Sequence, residues 1–304
     1  MFIDTFIEDL PAEPAFSFFY INDVNEVSGQ KKKRKIGNPN EAMRIVHARF
    51  RRYLRFIAEI KNYLSYARGA LPFCSPLKNI RQHSGHKYFY WIDTKNAYLN
   101  VDGKLLAQAL AIIDQNLDGQ ENEIYEFLKK YFLSENGGLI IGGPASPDLF
   151  NIYGAHLIDH KMGKLCDQFG IKYTRYLDDL IFSSNLVIGG RKRQAIRRII
   201  IEAGLTINHR KTRIYDLRKG PVAINGIGLR LGGATFLPRH YLRKLRGLLH
   251  LANNGRLNGI SRNRLNGMLG TFLGPIPKNR FFNLNRTEQK LLGQIRRFQQ
   301  STRI

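Results

Sequence analysis

Apolar residues recur along this chain with two distinct periods. From residue 41 to about 68, Met43, Val46, Phe50, Tyr53 or Leu54, Ile57, Ile60 and Leu64 fall three or four positions apart, and Arg44, Arg51, Arg52 and Arg55 take mostly the other faces. That is the stripe of an amphipathic helix. Residues 103–114 and 121–134 carry the same period. Residues 87–92 (KYFYWI) are instead a continuous aromatic and β-branched run, which predicts a buried strand ending at Asp93. Ser146-Pro147-Asp148 predicts a helix start, with serine as N-cap and proline as the first helical residue, opening a helix to about residue 168. Strand, turn, strand follows over 171–176, Leu177-Asp178-Asp179 and 180–184. Residues 191–203 read as a basic amphipathic helix stopped by Gly204. Short strands are predicted at 205–208, 211–216 and 222–230. Beyond residue 240, Leu242, Leu245, Leu249, Leu265, Met268, Leu269 and Phe272 predict a small helical bundle.

The 304 residues suffice for one large domain or two to three closely packed subdomains, and 43% apolar with 24% charged residues is a globular balance. Charge changes the picture. Lys and Arg number 48 against 24 Asp and Glu, a formal net charge of +24. Such an excess repels itself on a surface unless a polyanion neutralises it, and nucleic acid is the usual one, with an anionic membrane surface next. Residues 31–55 hold ten Lys or Arg against one Glu, and residues 237–304 hold fourteen against Glu288 alone. The acidic residues gather between these flanks, as in a protein that grips a polyanion from both sides. Cys74 and Cys166 are too few for a disulfide framework and match no metal motif, so both are expected to be reduced, buried thiols. The acidic N-terminus lacks the basic and apolar regions of a signal peptide, and no apolar run reaches the length of a membrane span. A cytoplasmic protein with no membrane partner is the expectation.

The candidate chemistry lies in the acidic middle. An Asp-Asp pair at a hairpin tip, Asp178-Asp179, is by itself compatible with an ordinary solvated turn. Asp93 alters that, because it ends a strand so apolar that its carboxylate must emerge beside other strand ends, where a charge needs a metal or a basic partner. Three carboxylates on neighbouring strands could bind two Mg²⁺ ions, which prefer oxygen ligands and leave positions open for phosphate oxygens.

Five segments, in order, resemble the reverse transcriptase family across nearly the whole chain. Arg34-Lys35-Ile36-Gly37-Asn38-Pro39 resembles its R-x-I-x-x-P. Asp93-Thr94-Lys95-Asn96-Ala97-Tyr98 resembles the first catalytic motif, an aspartate with an aromatic residue five positions on. Residues 139–147 (LIIGGPASP) resemble L-P-Q-G-x-P-x-S-P, and Tyr176-Leu177-Asp178-Asp179 resembles the Y-x-D-D box. Gly204-Leu205-Thr206-Ile207-Asn208 with Lys211-Thr212 resembles G-x-x-x-N…K-T. The resemblance implies an α+β, right-hand polymerase: fingers over 1–92 with part of 103–140, a palm of antiparallel sheet and helices over 93–232, and a short, basic helical thumb over 233–304. It implies an RNA-directed DNA polymerase in which Asp93, Asp178 and Asp179 are catalytic. Asp93, Thr94, Asp178 and Asp179 would be the metal set for two Mg²⁺, or Mn²⁺ in their place. Arg34 would pair with triphosphate oxygens of a deoxynucleoside triphosphate, and Tyr98 would be the steric gate against a 2′-hydroxyl. Gly142 and Gly143 would admit backbone close to the nucleotide, with Lys211 as a charge near the triphosphate or a surface lysine. The chain departs from the family where Ile140-Ile141 replaces Pro-Gln, which removes a hydrogen-bonding side chain, and where Leu177 is bulkier than the Ala of many bacterial members.

Two weaker matches resemble the bacterial retron type. Asn79-Ile80-Arg81-Gln82-His83 is similar to N-A-x-x-H, and Ile224-Asn225-Gly226 to V-T-G in its glycine and hydrophobic position. The chain also ends soon after the thumb-like region, an expectation of no RNase H, endonuclease or integrase domain. A retron type would imply a dedicated structured noncoding RNA as template and primer, its DNA product, a separate effector protein and a role in defence against phage. Asn79, His83, Asn225 and Gly226, with a basic stripe of Arg243, Lys244, Arg246, Arg262, Arg264 and Arg280, would bind RNA and the RNA–DNA duplex. The rivals are a standalone antiphage reverse transcriptase, protein-primed or template-independent, and a catalytically idle RNA-binding protein of the same fold.

Overall fold

The structure is a computed structural model and describes residues 4–24, 31–60, 62–256, 259–273 and 286–301. In chain order its elements are α1 (Asp4–Ile7), β1 (Phe16–Val24), β2 (Lys31–Pro39), α2 (Glu41–Ile60), α3 (Pro76–Arg81), β3 (Tyr88–Lys95), α4 (Gly103–Ile113), α5 (Glu121–Tyr131), α6 (Ser146–Gly154), α7 (His160–Gln168), β4 (Lys172–Tyr176), β5 (Asp179–Ser184), α8 (Gly190–Glu202), β6 (Thr206–Ile207), β7 (Arg213–Asp216), β8 (Val222–Ile224), β9 (Ile227–Leu229), β10 (Thr235–Phe236), α9 (Arg239–Asn253), α10 (Gly259–Leu273) and α11 (Arg286–Ser301). They form two compact units, residues 1–74 with 88–215 and residues 75–87 with 216–304.

The first unit is built on a five-stranded sheet with the order β4-β5-β3-β6, β7 pairing with β3. The β3–β5 and β4–β5 pairs are antiparallel, and their register sets Asp93 opposite Asp179 and Asp179 opposite Tyr176. Helix α2 buries Met43, Val46, Phe50, Leu54 and Ile57, the predicted stripe, in a core shared with α4, α5 and α6. It stops at Ile60 rather than near residue 68, because Asn62 takes a left-handed φ of 47° and turns the chain; Tyr63 and Leu64 then pack back on the same core. The predicted helix over 146–168 is present but broken: a π turn at Ala155–Asp159 separates α6 from α7. Its start also differs. Ala145 is the N-cap and Ser146 the first helical residue, because the Ser146 hydroxyl donates to the Ile140 carbonyl (2.7 Å) instead of capping. Strand β3 runs on to Lys95, so Asp93 lies within it.

A second sheet in this unit, the β1–β2 hairpin, was not legible in the pattern: nine paired positions run from Phe16↔Pro39 to Val24↔Lys31. The run of lysines in β2 hides any alternation. Cys166 is buried as expected, whereas Cys74 is half-exposed.

In the second unit the three-stranded sheet has the order β10-β9-β8. The predicted strand over 222–230 is two strands joined at Asn225-Gly226, whose φ of 50° and 77° suit a tight hairpin turn. Helix α3 packs against β9, and α9 against α10 and α11, with Leu245, Leu249, Leu265, Phe272 and Leu291 fully buried. Among the described residues no helix is long and apolar enough to cross a membrane.

Candidate active site

The β4–β5 connection is the shortest a hairpin allows, with Leu177 and Asp178 between the paired Tyr176 and Asp179. Leu177 takes a φ of 55°, a conformation that costs a residue with a Cβ about 1–2 kcal/mol. Its neighbours hold it there. Gly69 lies so close that a Cβ on it would meet the Leu177 side chain and backbone nitrogen at 2.8 Å. From β3, the Thr94 amide and hydroxyl both donate to the Asp178 carbonyl, at 3.2 and 3.1 Å. The turn is therefore stitched to the strand that carries Asp93.

Asp93 is 8% exposed, accepts from the Asn208 amide (2.8 Å) and is paired with Lys211 Nζ (3.1 Å). Asn208 also donates its backbone N–H to the Asp93 carbonyl (2.8 Å), so the residues after β6 close over Asp93 from the side. Asp179 accepts from the Trp91 indole N–H at 2.8 Å. Burial pushes the Asp179 carboxyl up to about 7, helped by the charge of Asp178, with the Trp91 hydrogen bond opposing. Asp178 is raised too, by burial first and then by Asp93, while Lys211 and Arg34 pull the other way. Asp178 thus feels Asp93, and Asp179 feels both. Among the described residues no three acidic, histidine or cysteine side chains converge as a finished metal shell: Asp93 is turned to Lys211 and Asn208, Asp179 to Trp91. Lys211 is ion-paired with Asp93, and burial and mutual repulsion still hold Asp178 and Asp179 up against Lys211 and Arg34. A crowded all-oxygen donor set of this kind fits a divalent cation such as Mg²⁺.

Tyr98, at the 3₁₀ turn after β3, stacks on Phe150 of α6, centroids 5.1 Å apart and planes at 20°. Its phenol is raised far above the ordinary tyrosine range, by burial first and then by Asp178, and stays neutral. Gly142 has a φ of 101°, and a Cβ there would lie 2.4 Å from the Gly37 carbonyl. The Gly37 amide in turn donates to the Ile141 carbonyl at 2.7 Å. This locks β2, and with it the exposed Arg34, to the glycine loop. A Cβ on Gly143 would meet the Ser146 hydroxyl at 2.6 Å. Ile140, where the family has proline, is a buried residue packed toward Gly37.

The profile of the family described as "Reverse transcriptase (RNA-dependent DNA polymerase)" matches residues 24–242. The chain belongs to the reverse transcriptase family. Among curated members it is 27% identical to the retron Ec83 reverse transcriptase of Escherichia coli over 202 residues, 64% of each chain. It is 21% identical to the retron Ec48 reverse transcriptase of the same species over 282 residues, 87% of this chain and 66% of that one. It is 33% identical to the retron Mx65 reverse transcriptase of Myxococcus xanthus over 129 residues, 42% of this chain and 29% of that one. The chain thus spans 64% of the length of the Ec83 relative, and its resemblance within the family is to the bacterial retron type. The structure of apo telomerase from Candida tropicalis superposes with a TM-score of 0.56 over 88% of this chain and 58% of that one, at 12% identity. Telomerase from Candida albicans, in complex with a fragment of telomeric RNA, gives 0.52 over 80% of this chain and 51% of that one, at 11% identity. These show the fold, an α+β right-hand polymerase.

Of the predicted site residues in this reverse transcriptase, Asp93, Thr94, Asp178, Asp179 and Lys211 come together, with Tyr98 close enough to feel Asp178. Gly142 and Gly143 line the loop tied to β2. Arg34 stands exposed on β2 of the same unit and acts on Asp178, and the others lie in the second unit. Asn79 and His83 are 1% and 0% exposed, and both polar atoms of the Asn79 amide are buried without a hydrogen-bond partner. They stand behind the surface and do not present side chains on it. Asn225 and Gly226 are accounted for by their hairpin turn. Arg243, Lys244 and Arg246 are exposed on α9, opposite Leu245 and Leu249, and Arg264 is exposed on α10. The Arg262 side chain and Arg280 lie outside the described residues.

Sequence reasoning passed over four residues that shape the site. Trp91 and Asn208 were visible only as a strand aromatic and a motif letter. His47 lies on α2, fully buried; its Nε2 faces the Tyr131 carbonyl (3.0 Å) and its Nδ1 accepts from the Ala145 amide (3.1 Å), anchoring the glycine loop. Arg175, just ahead of the Y-x-D-D box, is wholly buried. No single-sequence signal separates these from ordinary core or surface residues.

Proposed function

We propose that this chain is an RNA-directed DNA polymerase of retron type, copying a structured noncoding RNA into DNA. The observation that carries the reading is the pairing of Asp93 with Asp179 across β3–β5, next to Asp178 in a strained turn, in a chain of the reverse transcriptase family. Fingers over 1–92 with part of 103–140, a palm over 93–232 and a basic thumb over 233–304 are the corresponding division.

Asp93, Asp178 and Asp179, with Thr94 beside them, are the residues to hold two Mg²⁺ or Mn²⁺ ions. Bound there, the ions supply Lewis-acid activation of the attacking hydroxyl and neutralise charge on the leaving pyrophosphate. The protein does the rest. Lys211 and Arg34 place positive charge where the triphosphate enters, Lys211 exchanging Asp93 for phosphate oxygens. The Gly142–Gly143 backbone lets the nucleotide lie close. The Tyr98 ring, neutral and stacked, fills the space of a 2′-hydroxyl and so selects deoxynucleotides. Exposed Arg243, Lys244, Arg246 and Arg264 offer phosphate contacts to an RNA–DNA duplex. A separate effector protein and a role in defence against phage belong to this reading as what a retron type implies, and a cytoplasmic location rests on the sequence, whose acidic N-terminus lacks the features of a signal peptide.

The test is purification from the native operon and sequencing of the nucleic acid that accompanies the protein, beside an Asp178→Asn, Asp179→Asn variant. One structured RNA joined to a DNA copy of part of itself, with the DNA absent from the variant, is the expected result. Heterogeneous DNA without a defined RNA would favour a standalone polymerase. RNA in both preparations and DNA in neither would leave an RNA-binding protein.

A further inference from the structure

Among the described residues Arg175 is the largest fully buried side chain, and it sits two residues before Leu177. A buried guanidinium is costly unless every N–H is paired. Here all five are. Nε and Nη2 donate to the Asp159 carboxylate (2.9 and 2.7 Å), Nη2 also to the Asn151 carbonyl (3.2 Å), and Nη1 to the Asn151 side-chain oxygen (3.1 Å) and the Leu177 carbonyl (3.3 Å). The Tyr173 hydroxyl takes up the remaining side of Asp159 at 2.7 Å.

The helix beside it is shaped to admit this group. Gly154 leaves the space, since a Cβ there would lie 2.5 Å from the Arg175 guanidinium carbon. The π turn at Ala155–Asp159 adds a residue to the helix and brings Asp159 round to the fork. Neutralising an arginine requires only the carboxylate. The Nη1 donor that holds the Leu177 carbonyl serves something else: it reaches the strained residue on which the placement of Asp178 depends. On its other flank, the guanidinium carbon stands 5.8 Å from the Phe150 ring centroid, and Phe150 stacks on Tyr98. One rigid, planar group therefore backs both the aspartate turn and the ring assigned as sugar gate.

We propose that Arg175 is a positioning residue that sets the aspartate turn and the Tyr98 ring in one frame, and thereby governs discrimination between deoxyribonucleotides and ribonucleotides. This rests on the reading of Tyr98 as the gate. Lysine at 175 keeps a charge for Asp159, but its single nitrogen cannot also span Asn151 and Leu177.

The experiment is single-nucleotide incorporation by the full chain on a primed RNA template, with a dNTP and the matching rNTP, for wild type, Tyr98→Ala, Arg175→Lys and Phe150→Leu. Thermal unfolding is recorded on the same samples. Arg175→Lys is expected to lower kcat for the dNTP roughly 10–100-fold with KM changed about threefold or less, and to lower the dNTP-to-rNTP preference about tenfold or more. Phe150→Leu leaves the Arg175–Asp159 pair intact and should lower the preference about threefold or more while kcat for the dNTP stays within about threefold. A folded Arg175→Lys with wild-type kcat and preference overturns the proposal. Should that variant not fold, wild-type preference in Phe150→Leu overturns it instead. If Tyr98→Ala leaves the preference unchanged, the gate reading fails and takes this proposal with it. If Tyr98→Ala abolishes the preference and the other two variants keep it, only the role of Arg175 fails.

Discussion

His47 offers a test of how α2 holds the glycine loop, because its two ring nitrogens have opposite duties. Nδ1 accepts from the Ala145 amide, so the proton sits on Nε2, which donates to the Tyr131 carbonyl. A second proton would face an N–H donor in a site without solvent. Burial accordingly lowers the His47 pKa from 6.5 to about 4, against the smaller upward pull of the Tyr131 hydrogen bond. In the unfolded chain the ring takes its proton near pH 6.5, whereas in the folded protein it waits until about pH 4. The contribution is therefore complete above pH 6.5, is lost as pH falls from 6.5 toward 4, and is constant below that. The gap corresponds to at most ~3 kcal/mol, lost at no more than ~1.4 kcal/mol per pH unit. Urea unfolding of wild type and His47→Gln, from pH 4 to pH 8, measures it, since the amide does not titrate and the other groups cancel in the difference. The stability difference should be flat above about pH 7 and should shift against the wild type on acidification. A difference that stays flat down to pH 4.5 would refute the neutral, doubly bonded ring.

Three further outcomes follow from the site. Gly142→Ala meets both a φ of 101° and a 2.4 Å approach to the Gly37 carbonyl; it should cost about 1–3 kcal/mol in urea unfolding and raise the nucleotide KM about tenfold. Because Asp179 holds its proton up to about pH 7, cation binding must displace that proton, and Mn²⁺ affinity followed by electron paramagnetic resonance should strengthen as pH rises from 6 to 8. Affinity independent of pH would remove Asp179 from the metal set. Lys211→Met breaks a pair that water already screens, so the thermal midpoint should move only a few degrees, while kcat/KM for the nucleotide should fall about tenfold or more.

The sequence was most informative where one physical rule acts alone. The α2 stripe, the apolar β3 and the strand–turn–strand around Asp178 and Asp179 follow from periodicity and turn chemistry, and all are present. It was silent where long-range partners decide. The β1–β2 hairpin pairs a strand of lysines whose pattern has no period, the π turn exists to bring Asp159 to Arg175, and α2 ends where Asn62 adopts a left-handed backbone. Asp93, Asp178 and Asp179 could be named because apolar strands deliver them. His47 and Arg175 could not, since a buried His or Arg is recognisable only once both of its partners, nearly a hundred residues distant for Ala145, are in place.

The β1–β2 hairpin also bears on how the protein behaves at high concentration. It is a two-stranded sheet, and Phe18, Phe19, Tyr20 and Ile21 of β1 are all exposed, on both of its sides. An open strand edge with greasy faces is a template for pairing with a second copy. The cationic strand beside it, with Lys33, Arg34 and Lys35 exposed, keeps copies apart by repulsion. That protection is electrostatic and fades as the screening length shrinks, from about 10 Å at 0.1 M salt to about 3 Å at 1 M. Concentrated salt is therefore the condition under which this edge would most readily pair with a second copy, and a polyanion placed on the same strand would oppose that pairing.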